Sequence, residues 1–223
     1  MMVPPTAEYR SHPPRGCSGR LGAARRWPEL ALLLLLLAAC STGPPIPDWQ
    51  LSAKAASERA VAAYLTGNAR IDAAEQGRAR AEVARTGRAD LLARVELAHC
   101  AAQVASLVFG PCSAFEPLRA DATDAERAYA DRLAGRSAAA EPTALQGITD
   151  PLARLVAAGV LFETNRADPQ VIQIAIDTAS AQGWRRPLLA WLNVQLKRAE
   201  AAGASAEAEQ LRRRIALVQG GAP

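Results

Sequence analysis

The body of this chain is predicted to be all-α, built of antiparallel helical hairpins that either stack as an α-solenoid or pack as an irregular helical bundle. Three observations carry that prediction. Half of the residues are hydrophobic but only 4% are aromatic, and alanine and leucine supply most of the apolar content, a composition that favours helices. Glycine and proline fall mainly between segments of helical apolar periodicity, where they end helices. Asp150-Pro151 and Asp168-Pro169 each place a capping side chain directly before a proline that suits the first helical position.

The chain starts with a different kind of segment. Leu30 to Ala39 is an unbroken apolar run, LALLLLLLAA, with seven leucines. As a helix it would span roughly 15 Å, about half of what crossing a bilayer requires. Arg10, Arg15, Arg20, Arg25 and Arg26 precede it against only Glu8 and Glu29. A basic segment followed by a short apolar one is the pattern of a signal peptide, here with an n-region over 1–29 and an h-region over 30–39. The extended, proline-containing n-region suggests a translation start downstream of Met1.

Leu37-Ala38-Ala39-Cys40 resembles the lipobox of bacterial lipoproteins. The resemblance implies cleavage between Ala39 and Cys40, a diacylglycerol on the Cys40 sulfur and an N-acyl lipid on the new amino terminus. One acyl chain holds a protein to a membrane only marginally, whereas several on one residue make release negligible. In this family an aspartate after the lipidated cysteine marks inner-membrane retention. Ser41 stands there, so the resemblance favours the outer membrane, with the body facing the periplasm.

Residues 40–47 then form a lipidated tether, made semi-extended by its prolines, and 48–223 the helical periplasmic domain. Asp48 caps a helix over Trp49–Thr66, closed by Gly67, whose stripe is Leu51, Ala55, Val61, Ala62 and Leu65. Asn68 opens a second helix to about Arg85, with a narrow face of Ile71, Ala74, Ala81 and Val83. A third spans about Ala89–Leu107, and Cys112–Leu118 is irregular or a short turn. A fourth starts at Thr123 or Asp124 and reaches Leu133, and Arg136–Gln146 is a loop. Helices follow from Pro151 to Glu163, from Pro169 to Gln182, from Leu188 behind Pro187 to Ala201, and from Ser205 to Val218. Val171–Ile176 could be a strand by propensity, but its Asp-Pro start and polar continuation favour helix.

Ala190-Trp191-Leu192, Ala199, Gly203, Ala206 and Leu211 resemble a degenerate tetratricopeptide repeat, as do Ala60, Tyr64-Leu65, Gly67 and Ala73. Such repeats are helix–turn–helix units of about 34 residues. The resemblance implies a stack of α-hairpins whose surfaces take up peptides or helices.

Charge excludes one class of function. Taking the five arginines and two glutamates of the leader from the chain's 26 basic and 22 acidic residues leaves 21 against 20. Such a body lacks the basic excess that nucleic acid demands, and Arg212-Arg213-Arg214 reads as a solvated helix surface. Cys100 and Cys112 would meet an oxidising periplasm, where a disulfide is expected. Pairing requires the third helix to stop near Ser106 or Leu107 so that the chain can fold back; otherwise the two are separately buried thiols.

Nothing in the sequence assembles a catalytic or metal site. His99 is the one histidine of the body and reads as the margin of a packed stripe. Ordinary zinc sites need several clustered His or Cys ligands, and phosphate-loop, dinucleotide-loop and serine-hydrolase motifs are absent. Glu58, Glu75, Glu82, Glu96 and Glu163 read as solvated helix positions. Trp191 suits core packing. Trp184, beside Arg185 and Arg186 between two helices, is the expected partner contact together with Arg185. The expectation is a membrane-anchored lipoprotein without catalysis or cofactor, whose helical domain binds or positions a protein partner in the envelope. The alternatives are a peptidoglycan-acting enzyme and an assembly factor for an envelope complex.

Overall fold

The computed structural model describes residues 45–137 and 141–220. The signal peptide, the Ala39–Cys40 cleavage site and the lipidation site at Cys40 lie outside the described residues, and Pro45, Ile46 and Pro47 of the tether are exposed coil. Among the described residues the fold is all-α, with no strand. Eight α-helices follow in order: α1 (Asp48–Thr66), α2 (Ala69–Ala84), α3 (Ala89–Ala105), α4 (Asp124–Leu133), α5 (Pro151–Glu163), α6 (Pro169–Ala181), α7 (Arg185–Ala201) and α8 (Ser205–Gln219). Two 3-10 turns, Glu116–Leu118 and Pro142–Gly147, join them.

Local chemistry places four of the eight helix starts, whereas Asp48, expected to cap the first helix, is its first residue behind Pro47 and makes no side-chain cap. The carboxylates of Asp150 and Asp168 accept from the N–H groups of Ala153 and Val171, each followed by proline. Asn68 caps α2 through the Ile71 N–H. Thr123 and Glu126 form a reciprocal capping box on α4.

The first two helices form a hairpin whose stripes keep Leu65 and Val83 of those expected, both buried, but are otherwise shifted. Ala53, Ala56, Ala60 and Ala63 are buried, whereas Leu51 is half exposed and Ala62 exposed. On α2 the inward residues are Gln76, Ala79 and Val83, with Ile71, Ala74 and Ala81 outside. Facing alanines let the two helices approach closely, and a leucine at their contact would hold them apart. Close approach thus selects the small residues and leaves Leu51 and Ile71 at the surface.

α3 is the hub. It packs against α1, α2, α4 and α5, and buries Ala93, Val95, Glu96, Leu97, Cys100, Ala101, Ala102, Val104 and Ala105 around its circumference. From α5 onward the chain is more regular, with α5 on α6, α6 on α7 and α7 on α8. These sequential hairpins match the expected pairing. The N-terminal part departs from it, because α1 also touches α7 and a linear stack contacts only its neighbours.

α3 ends at Ala105, two residues before the expected Leu107. Ser106 follows as its cap, and Leu107 turns the chain at φ 59°. A disulfide joins Cys100 to Cys112, with Cα atoms 5.9 Å apart. The segment after Pro142, expected as loop, forms a 3-10 turn that buries Leu145 completely. α7 starts at Arg185 rather than after Pro187, which makes Trp184 its N-cap residue.

The largest apolar cluster runs from α3 through α8 and centres on Trp191, which is fully buried. Trp191 packs edge-on against Phe162 at 5.7 Å, and its Nε1–H donates to the Ala105 carbonyl at 3.2 Å. One glycine limits how the layers meet. A Cβ added at Gly159 on α5 would overlap the backbone carbonyl oxygen of Val104 on α3. Gly159→Ala should therefore destabilise the fold by about 2 to 3 kcal/mol, read as a lowered denaturant midpoint, although alanine is the better helix former.

Candidate functional site

The expected contact residues Trp184 and Arg185 lie where the end of α1 meets the start of α7. α1 stops at Gly67, whose φ of 87° suits glycine. The Gly67 N–H donates to Tyr64 O at 3.0 Å and the Asn68 N–H to Ala63 O at 2.8 Å. The Arg186 Nε–H adds a third bond, to the Tyr64 carbonyl at 2.8 Å, and its guanidinium lies 4.3 Å from the centre of the Tyr64 ring. Burial raises the Tyr64 phenol above its ordinary range, against the lowering influence of Arg186. Arg186 thus stacks on a neutral ring.

The edge of that ring meets His99 at 5.2 Å, and His99 Nε2 lies 2.9 Å from Asp72 Oδ1. His99 is the margin of a packed face, as expected, but it also ties α3 to α2. Adjacent Cys100 is in the disulfide.

Trp184 differs from its expected exposure. It is half-buried and packs on both the main core and the Tyr64–Leu65–Ala102 cluster, so it serves first to join the N-terminal hairpin to the rest. Arg185 is exposed, and its guanidinium reaches across Gly67, 3.1 Å from where a Cβ would stand. Of the pair, Arg185 retains the open surface.

Two carboxylates that sequence reading missed are buried. Glu96, expected to be solvated, is 6% exposed. It accepts from Arg80 Nε and Nη2 at 2.5 and 2.7 Å and from Gln76 Nε2 at 3.2 Å, locking α3 to α2. Glu126 is 7% exposed and accepts from Arg94 Nε at 2.5 Å and from the Thr123 N–H at 2.8 Å. Burial pushes its carboxyl up, but the Arg94 and Thr123 donors together hold it below its ordinary value. A capping-box Glu was the sequence signal available for Glu126; for Glu96 there was none.

The remaining acids named above are paired at the surface: Glu58 with Lys54 at 3.8 Å, Glu75 with Arg59 at 2.8 Å, and Glu82 with Arg85. In the C-terminal run, Arg212 meets Glu200, Arg213 meets Glu209 and Arg214 reaches Ser180. Glu163, at the end of α5, is different. Burial raises its carboxyl above the ordinary value, and its Oε2 is enclosed with no hydrogen-bond partner among the described residues. Among the described residues no group of three or more His, Cys, Asp and Glu is placed to hold a metal ion.

Comparison with protein-family models, with curated proteins and with solved structures finds no match to this chain.

Two outcomes follow from this geometry. Arg186→Ala should cost about 1 to 3 kcal/mol, since it removes a charge-assisted bond and a cation–π contact together, whereas Arg185→Ala should stay within about 0.5 kcal/mol; thermal unfolding of both variants measures the difference. Glu163 binds its proton more tightly folded than unfolded, so its contribution is most favourable below its ordinary value of 4.5 and is lost as pH rises through the raised value. Glu163→Gln should remove that part of the decline, seen as a flatter melting temperature between pH 4 and pH 7.

Proposed function

We propose that this protein is a lipid-anchored outer-membrane lipoprotein whose helical domain, facing the periplasm, binds or positions a protein partner without catalysing a reaction. The observation that carries the reading is Leu37-Ala38-Ala39-Cys40 at the end of a leucine-rich run too short to span a bilayer. A cysteine there becomes both the first residue and the lipid carrier. The short tether then leads into α1 at Asp48, which holds the body near the membrane surface.

Two features of the body support the reading. The Cys100–Cys112 disulfide suits an oxidising compartment. Paired helices with a surface between them offer the kind of groove that takes up a peptide or helix. No described helix is long and apolar enough to cross a membrane.

Cys40→Ala should abolish incorporation of radiolabelled palmitate and release the protein from the membrane fraction. Retention of either property would overturn the anchor. Crosslinking followed by pull-down from detergent-solubilised membranes should recover a specific protein companion. Digestion of peptidoglycan by the purified protein, lost on changing a single glutamate, would instead establish the enzymatic alternative.

A further inference from the structure

A groove of about 430 Å³ opens between the end of α3, Phe162 of α5 and one face of α7. Its apolar surface comes from Leu107, Phe162 and Val194, each partly buried on the main core yet still lining open space. Lys197 and Arg198, one helical turn beyond Val194, complete it, and both are exposed. Neither has a carboxylate within salt-bridge distance among the described residues, in a structure where most arginines are paired, and no acidic residue lines the groove.

Two more observations belong to the same place. Asn193 donates its Nδ2 to the Leu189 carbonyl at 2.7 Å, which leaves its Oδ1 to accept from another molecule. Leu107 holds a left-handed backbone at φ 59°, costly for a residue with a side chain. That turn lies inside the loop closed by the Cys100–Cys112 disulfide, so the covalent bond keeps the strained wall in position.

We propose that this groove binds a segment of a partner protein in which a bulky apolar side chain is flanked by an acidic residue. The apolar side chain would cover Leu107, Phe162 and Val194, a backbone N–H would donate to Asn193 Oδ1, and the carboxylate would meet Lys197 and Arg198. A fatty acid has the same apolar and anionic ends, but it lacks the N–H, and the open groove would leave a long acyl chain largely in water. The proposal rests on the partner-binding reading above and gives that reading a location and a chemistry.

The test is selection of a phage-displayed random dodecapeptide library on the full chain in detergent micelles, with empty micelles as the control. The expected result is enrichment of peptides with Leu, Phe, Ile or Trp within about three residues of Asp or Glu. Lys197→Glu with Arg198→Glu should lower their recovery at least tenfold and enrich peptides with basic flanks instead, while circular dichroism shows unchanged helicity and melting. Absence of enrichment, the same peptides on both proteins, displacement of the peptides by oleate at stoichiometric ratio, or a charge-reversal-sensitive dimer of the chain itself would each overturn the proposal. A companion crosslinked in membranes but mapped to another face would overturn the groove while leaving the proposed function standing.

Discussion

The contact on which the molecule depends is the crossing of α3 and α5 at Gly159. There the backbone of one helix lies against the Val104 carbonyl of the other, with no room for even a methyl group between them. Helices that meet this closely have a fixed separation and position, since packed interiors deform little. α3 is consequently held at the middle of the bundle. Everything attached to it inherits that position: the α1–α2 hairpin on one side, α4 on another, and the series of hairpins from α5 to α8 beyond.

Around this hub the polar contacts divide the work differently from the apolar ones. Alanine and leucine packing brings the helices together but says little about their axial register, because one alanine fills a contact much like another. Arg80 and Gln76 on Glu96, and Arg94 on Glu126, set α2 and α4 against α3 at single positions. Each carboxylate is buried while its arginine remains largely in water. Such pairs contribute less to net stability than their short distances suggest, since burying the charge opposes the gain. Losing the arginine would leave each buried acid with only a neutral donor, Gln76 for Glu96 and the Thr123 N–H for Glu126, so the pairs disfavour other registers.

How much of this could be read from the chain depended on distance along it. Asp150-Pro151 and Asp168-Pro169 announce α5 and α6 because a cap is complete within four residues, and the capping box of α4 is equally local. The stripe of α1 was not legible, since its alanines are distributed nearly all round and only the close approach of α2 decides which are inside. Glu96 looked like any surface acid because its arginine is sixteen positions away. Trp184 looked exposed between two helices beside two arginines, but the surface that half covers it comes from α1 and α3. Leu145 fills the core from a segment whose alanines and proline suggested only a loop.

The tryptophan indole at position 191 and the guanidinium at 186 share a property with a consequence for biogenesis. Each donates to a carbonyl at or near the end of an earlier helix, Ala105 and Tyr64, that was synthesised 86 and 122 residues before it. These donors reach the ends of α1 and α3 only once α7 has been synthesised; until then the Tyr64 oxygen has its local bond from the Gly67 N–H. Contacts of such long sequence separation are slow to form. A chain shortened to end before Arg185 would therefore keep the local pairing of α1 with α2 but lose both long-range donors at once.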